Sequence, residues 1–351
     1  ATVEPPKVET PPAPPPVEPP TPATEDKPAE PALERDPGQL MLVVDNDLVL
    51  HTGPDVAWSS GKLNIVARSA RLSVSKKADL DKLPAPVRAA ASSTVTVYDS
   101  DGSACVATVG AVRVDSTQTG EVYMGLEVPE GEEFDSAEPP KDRAALRKFA
   151  EETFKEPSGK LLLARQKAQN GKPCAGVWAR RADLPAPAVF GRRQLGDDEA
   201  KALTAKALEV VRAQPEFAQV AAAYAERVKE YGPDAEVLAW PEFVDRYFAA
   251  TRWDEVGGPR RIVSVQLHET WEGCGDYFDG SIALLFEQQG DALVRLQQPG
   301  WLYLDALMDV DRDGVLEGVT NFDIERKLVA AGPNASVFRD ETMENYVGCR
   351  C

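Results

Sequence analysis

Between residues 39 and 193 apolar side chains recur at every second position in short runs: Leu63, Ile65 and Ala67; Leu72 and Val74; Val95 and Val97; Val122, Met124, Leu126 and Val128. A strand sends successive side chains to opposite faces, so this alternation predicts strands with one face buried. The region opens with Met41-Leu42-Val43-Val44, a polar Asp45-Asn46-Asp47 and Leu48-Val49-Leu50, which predicts two strands across a tight turn. Asp101-Gly102 separates Thr94 to Tyr98 from Cys105 to Val109. A glycine after aspartate takes the positive φ of a hairpin turn without strain, so that pair is predicted to be antiparallel. The period changes at 141–155, where Leu146, Phe149, Ala150 and Phe154 share one helical face and Pro157 stops the run. Strands at Leu161 to Ala164 and Gly176 to Ala179 complete an expected α+β domain, residues 39–193.

Residues 198–231 carry the strongest helical pattern, with Phe217, Val220, Tyr224, Val228 and Tyr231 three or four apart and Gly232-Pro233 at the end. Pro215 divides the pattern into two helices. An aromatic and aliphatic stripe at this spacing reads as core rather than as a docking face for a partner. The segment 194–235 is therefore expected to be a helical connector. Residues 236–250, with Trp240, Phe243, Tyr247 and Phe248, fit strand or helix equally. Strands are predicted at Ile262 to Leu267, Ile282 to Phe286 and Ala292 to Leu296, with turns at Asp279-Gly280 and Gln289-Gly290-Asp291, in a second lobe spanning 236–351. The expected fold class is α+β, mainly antiparallel β: two β-rich lobes joined by a helical segment and preceded by a disordered Pro-rich tail.

That tail, residues 1–38, holds thirteen prolines among Glu, Thr and Ala, with no apolar period to offset the entropy of ordering. As polyproline II, at about 3.1 Å per residue, it would reach on the order of 100 Å, so it reads as a tether rather than as a set of ligands for SH3-type domains. A start at Ala1 without Met is what a processed product would show, and a bacterial lipoprotein cut before a lipidated cysteine would look like this. The expectation is an exported protein, periplasmic or at the cell surface, with a lipid anchor upstream of Ala1, or else secreted. The whole chain has 351 residues with 43% hydrophobic, enough for two packed lobes. Its net charge of -18 repels phosphate backbones and anionic headgroups and argues against a nucleic-acid partner. No window approaches the roughly twenty apolar residues of a transmembrane helix.

The densest chemistry lies at Asp309-Val310-Asp311-Arg312-Asp313-Gly314-Val315-Leu316-Glu317. Three alternating carboxylates can turn inward around a hard cation, and the glycine lets the backbone bend without a Cβ clash. An EF-hand would close with Glu at the twelfth position, which here is Thr320. The stretch 306–320 instead resembles the short calcium loops of FG-GAP and integrin-α-type repeats, in which an acidic ninth residue follows D-x-D-x-D-G. The resemblance implies Asp309, Asp311, Asp313 and Glu317 as side-chain ligands and Val315 as carbonyl donor to a structural calcium. It covers about fifteen residues without a second copy, whereas a propeller needs several blades of about forty. The alternative is a solvated acidic turn.

Five cysteines, Cys105, Cys174, Cys274, Cys349 and Cys351, lie outside any C-x-x-C pair, and in an oxidising compartment they predict disulfides: Cys105 with Cys174, and Cys274 with Cys349 or Cys351. A Cys₃His zinc shell from His268, Cys274, Cys349 and Cys351 is the alternative. Catalysis has little to draw on. Only His51 and His268 occur, no G-x-S-x-G accompanies them, and His268-Glu269 lacks the second histidine of H-E-x-x-H because position 272 is Glu. A His268–Cys274 thiol pair is less economical than a disulfide. Gly257-Gly258-Pro259 lacks the lysine and spacing of a phosphate loop. Carboxylate pairs for a hydrolase would first be sought at Glu269, Glu272 and Asp276 and at Asp99 with Asp101, although 57 acidic residues make such clusters common. Asn334-Ala335-Ser336 is a glycosylation sequon that only a eukaryotic secretory route would use. The expected function is an exported, tethered, non-catalytic binding or scaffold protein of a bacterial envelope or extracellular space. The alternatives are a carboxylate-dependent hydrolase acting on an envelope polymer and a structural assembly subunit.

Overall fold

The two runs of apolar residues around Asn46 form a hairpin, Val44 pairing with Asp47, and Asn46 takes the left-handed conformation (φ 67°) that the tight turn requires. The computed structural model describes residues 40–44, 46–52, 62–68, 71–83, 85–120, 139–155, 161–168, 172–231, 237–269, 278, 280–322, 325–330 and 345–347. The first lobe runs β1 (Met41–Val44), β2 (Asp47–Thr52), β3 (Asn64–Arg68), β4 (Arg71–Lys77), α1 (Ala85–Ala91), β5 (Thr94–Tyr98), β6 (Ala104–Gly120), α2 (Arg143–Thr153), β7 (Leu161–Ala168) and β8 (Trp178–Arg181). Six of these strands pair in a ring, β5-β6-β7-β2-β1-β8 and back to β5, all antiparallel. A closed sheet leaves no unpaired edge. The side chains that alternate inward, Met41, Val43, Leu48, Leu50, Val95, Val97, Ala107, Val112, Val114, Ala164 and Ala179, make one buried cluster, which Val87, Ala90 and Ala91 of α1 join.

Strand β6 outgrows the barrel. Its residues 113–119 pair with β4, which pairs with β3, and α2 packs Ala150 and Phe154 on Leu72 and Val74 of this wing. The helix starts at the Asp142 cap, whose carboxylate accepts from the Ala145 N–H. The alternation expected at Val122 to Val128 lies outside the described residues.

The second lobe comprises β9 (Ala188–Arg192), α3 (Asp197–Arg212), α4 (Pro215–Tyr231), α5 (Trp240–Tyr247), β10 (Phe248–Glu255), β11 (Arg261–Leu267), β12 (Ile282–Gln289), β13 (Ala292–Pro299), β14 (Leu304–Asp309), β15 (Glu317–Phe322) and β16 (Glu325–Ala330). The eight strands form an antiparallel sheet in the order β13-β12-β11-β10-β9-β14-β15-β16. A last strand, β17 (Asn345–Val347), pairs in parallel with the end of β6. The fold is thus α+β and predominantly antiparallel.

Strand β9 precedes the helices yet sits mid-sheet between β10 and β14, so the second lobe begins before residue 193. Val189 faces the barrel while Phe190 faces the lobe's own core; a strand buried on both faces shows no alternation to read. The segment expected to be a connector packs against this lobe: Ala207, Val211, Val220 and Tyr224 of α3 and α4 cover Val263, Val265, Leu267, Ile282, Leu284 and Phe286. The core reading of the aromatic stripe holds for Phe217, Val220 and Tyr224, whereas Val228 is exposed. Residues 236–250 divide between both expected forms, α5 and the start of β10.

The sheet's opposite face encloses Phe190, Trp253, Ile262, Leu285, Trp301, Leu307 and Leu316. Between the lobes, Leu40, Leu42, Val49, Val177 and Trp178 on the barrel's exterior meet Val189, Ala306, Met308, Val310 and Val319. The β5–β6 turn docks beside them: the Arg192 N–H donates to Ser100 O at 2.7 Å, and a Cβ on Gly191 would stand 2.1 Å from Asp101 O. Because that neighbour is backbone, Gly191→Ala is expected to cost about 3 kcal/mol, the upper end for overpacking. The check is urea denaturation against Gly196→Ala, where a Cβ meets nothing within 4 Å.

Candidate metal centre

The acidic loop connects β14 to β15, whose ladder ends at Met308 opposite Glu317. Two residues of the loop take left-handed backbone, Gly314 (φ 89°) and Arg312 (φ 60°). Glycine does so freely, whereas for Arg312 the conformation is unfavourable and is held by its own side chain, Nε donating to Ala186 O and Nη2 to Pro187 O. The backbone closes on the carboxylates: Asp309 Oδ2 accepts from the Gly314 N–H at 3.0 Å, Asp313 Oδ1 from the Val315 N–H at 2.8 Å, and Glu317 Oε2 from the Val310 N–H at 2.9 Å.

Neighbouring elements pin the loop from outside. Gln298 of β13 accepts from the Leu316 N–H and donates to Leu316 O, so the side chain of one strand completes the backbone of another segment. Arg180 of β8, buried between the lobes, donates from Nη1 to Val310 O at 2.6 Å. Burial lowers the Arg180 pKa, against which Tyr98, Asp311 and Glu317 act. The barrel therefore reaches into the loop with a cation, and nothing in the local sequence of β8 signals a partner 130 residues away.

Asp309, Asp311 and Asp313 bring one carboxylate oxygen each to within 4.8 Å of one another. Asp309 is 3% exposed, and its Oδ1 is buried without a hydrogen-bond partner. A buried acceptor left unsatisfied costs about 1–3 kcal/mol, so this oxygen is suited to a ligand. Burial is the main cause that raises the Asp309 pKa; the Asp313 and Asp311 carboxylates raise it further, and the Gly314 and Arg312 N–H groups oppose them. Arg260 Nη1, 3.9 Å from Oδ2, is the nearest cationic partner. Three hard oxygen donors facing one point, two of them exposed and open to water, suit a calcium-sized cation that completes its shell with solvent. The resemblance also implied Glu317 and Val315. Among the described residues Glu317 is not part of this convergent group of side chains; it is buried and braces the Val310 N–H. The Val315 N–H is engaged by Asp313, a contact that does not involve the carbonyl the resemblance implies.

The other expected residues fall as follows. Cys105 and Cys174 form a disulfide with Cα atoms 5.8 Å apart, tying β6 to the segment that leads into β8. Cys274, Cys349, Cys351, Glu272, Asp276 and the Asn334 sequon lie outside the described residues. His268 is buried with Nδ1 3.1 Å from Tyr303 Oη and 3.2 Å from Glu269 O, and burial lowers its pKa. Glu269 Oε2 accepts from the Phe278 N–H. Asp99 and Asp101 are occupied by the hairpin turn, accepting from the Ser100 and Ser103 N–H groups. No helix among the described residues is long and apolar enough to cross a membrane. Comparison with protein families, with characterised proteins and with solved structures finds no match to this chain.

Proposed function

We propose that this chain is an exported, tethered binding or scaffold protein of a bacterial envelope or extracellular space, non-catalytic, in which calcium at Asp309, Asp311 and Asp313 stabilises the junction of two lobes. The observation that carries the calcium reading is Asp309, which keeps a buried, unpartnered Oδ1 and brings a carboxylate oxygen to within 4.8 Å of those of Asp311 and Asp313. A cation there satisfies that oxygen, offsets both the burial that raises the Asp309 pKa and the lesser repulsion from Asp313 and Asp311, and stiffens a loop to which the barrel is hydrogen-bonded through Arg180. Export is supported by the Cys105–Cys174 disulfide, since such bonds persist in oxidising compartments. The proline-rich composition of residues 1–38 supports a spacer that holds the lobes away from an attachment point.

The test is thermal unfolding with excess calcium and with a chelator, for the native chain and for Asp311→Ala. Asp311 is exposed, so the substitution removes a ligand without opening the core. Calcium at about a hundred times its Kd is expected to add about 3 kcal/mol to the native chain, and the variant is expected to lose that increment. Superimposable curves with calcium and chelator would leave the loop as a solvated acidic turn and end the proposal.

A further inference from the structure

The enclosed face of the second sheet changes character along its strands. Phe190, Trp253 and Ile262 form its apolar floor; two residues on, the same face carries Arg192 on β9, Thr251 on β10 and Ser264 on β11, with Gln266 two residues beyond Ser264. The register places Arg192 opposite Trp253 and Thr251 opposite Ser264. Together with Trp301, Tyr303, Leu304 and Asp305, these residues line a pocket of about 240 Å³. The covering segment is fixed from below. The Tyr303 N–H donates to Gln266 Oε1, its hydroxyl lies beside His268, and its backbone is held left-handed at φ 53°. A non-glycine residue kept in that region costs on the order of 1–3 kcal/mol, and such residues concentrate at binding sites.

The pocket's hydrogen-bonding capacity is largely uncommitted. Among the described residues neither the Arg192 guanidinium nor the Asp305 carboxylate has an ion-pair or hydrogen-bond partner, and they do not pair with each other. Thr251 Oγ1 and Gln266 Nε2 are likewise free, and Ser264 Oγ, which accepts from Trp253 Nε1, keeps its own proton to donate. A neutral polyol would leave both charges without a counterpart, and a simple anion would face Asp305. A molecule carrying both signs satisfies the pocket: a carboxylate forked onto the Arg192 guanidinium and an ammonium against Asp305, with Thr251, Ser264 and Gln266 serving the remaining lone pairs and protons. The volume lies below the range of about 300–1,000 Å³ that suits drug-sized ligands, which restricts the occupant to a small metabolite.

We propose that this pocket binds a small zwitterion, a free α-amino acid, with Arg192 holding its carboxylate and Asp305 its ammonium. The site shares no residue with the acidic loop, so its test is independent of calcium. Calorimetric titration of the full chain with a panel of free L-amino acids, their N-acetyl derivatives, their amides and neutral monosaccharides reads it directly. At least one amino acid is expected to bind, with acetylation or amidation weakening it about ten- to a hundredfold, the loss of one charged hydrogen bond. Arg192→Gln and Asp305→Asn are expected to weaken the amino acid by a similar factor. Each variant should also become indifferent to the derivative that lacks the group it no longer holds. Arg192 is exposed and Asp305 half-exposed, so both variants should fold, and circular dichroism checks that. The proposal is overturned if no amino acid binds at millimolar concentration, if the variants bind as the native chain does, or if the monosaccharides alone bind.

Discussion

Replacing Cys105 and Cys174 together by alanine is expected to lower the free energy of unfolding by about 4 kcal/mol, because the crosslink closes a loop of 69 residues and removes that closure entropy from the unfolded chain. The location adds to this. Cys174 is buried in the barrel interior and its segment leads into β8, the strand that completes the ring between β5 and β1. Without the bond, the segment from residue 172 to Gly176 is held, among the described residues, by its packing and by the Val177 backbone contacts that follow it, the N–H donating to Tyr98 O and the carbonyl accepting from the Val43 N–H. Urea denaturation of the double variant beside the oxidised chain is the measurement. A loss below about 1 kcal/mol would mean that the ring closes without help from the bond.

Trp253→Ala is expected to cost about 3–5 kcal/mol, the range for removing a fully buried indole. Trp253 has no exposed surface and shares the enclosed core with Phe190, Ile262, Leu285 and Leu307. The substitution also leaves Ser264 Oγ without the donor at 2.9 Å. Trp253→Phe refills most of the volume and should lose about 1–2 kcal/mol, mainly the hydrogen bond. Chemical denaturation separates the two. Equal losses for both variants would place the energy in the indole N–H rather than in packing.

What could be read in advance follows from how many faces of a strand are buried. β3, β4 and β5 bury one face more than the other, and their alternation at Leu63 to Ala67, Leu72 to Val74 and Val95 to Val97 was plain. β9 and β14 pack on the barrel with one face and on their own core with the other, so Ala188-Val189-Phe190 and Ala306-Leu307-Met308 carry no period. The first therefore offers no strand signal, and its insertion between β10 and β14 puts the lobe boundary upstream of residue 193. Helix α1 gives no readable signal, because seven residues with four alanines and a proline make barely two turns. The helices α3 and α4 were legible with their break at Pro215, but amphipathicity names a buried face and not what buries it.

At the acidic loop, the local spacing identified three aspartates that converge. It could not identify Arg180, Gln298 or Ala186, because they reach the loop from distant segments through contacts that only the tertiary fold creates. The lining of the pocket was invisible for the same reason: Arg192, Thr251, Gln266 and Asp305 come from four segments and form no motif in sequence.

Strand β1 is hydrogen-bonded on both sides, to β2 and to β8, and buried on both faces, with Met41 and Val43 inside the barrel and Leu40 and Leu42 in the junction between lobes. It is also where the chain that begins with the proline-rich segment enters the fold. A mechanical load transmitted along that segment would act first on β1. Extracting the strand means breaking two short ladders and emptying two cores at once, so packing on both faces opposes such a pull together with the hydrogen bonds.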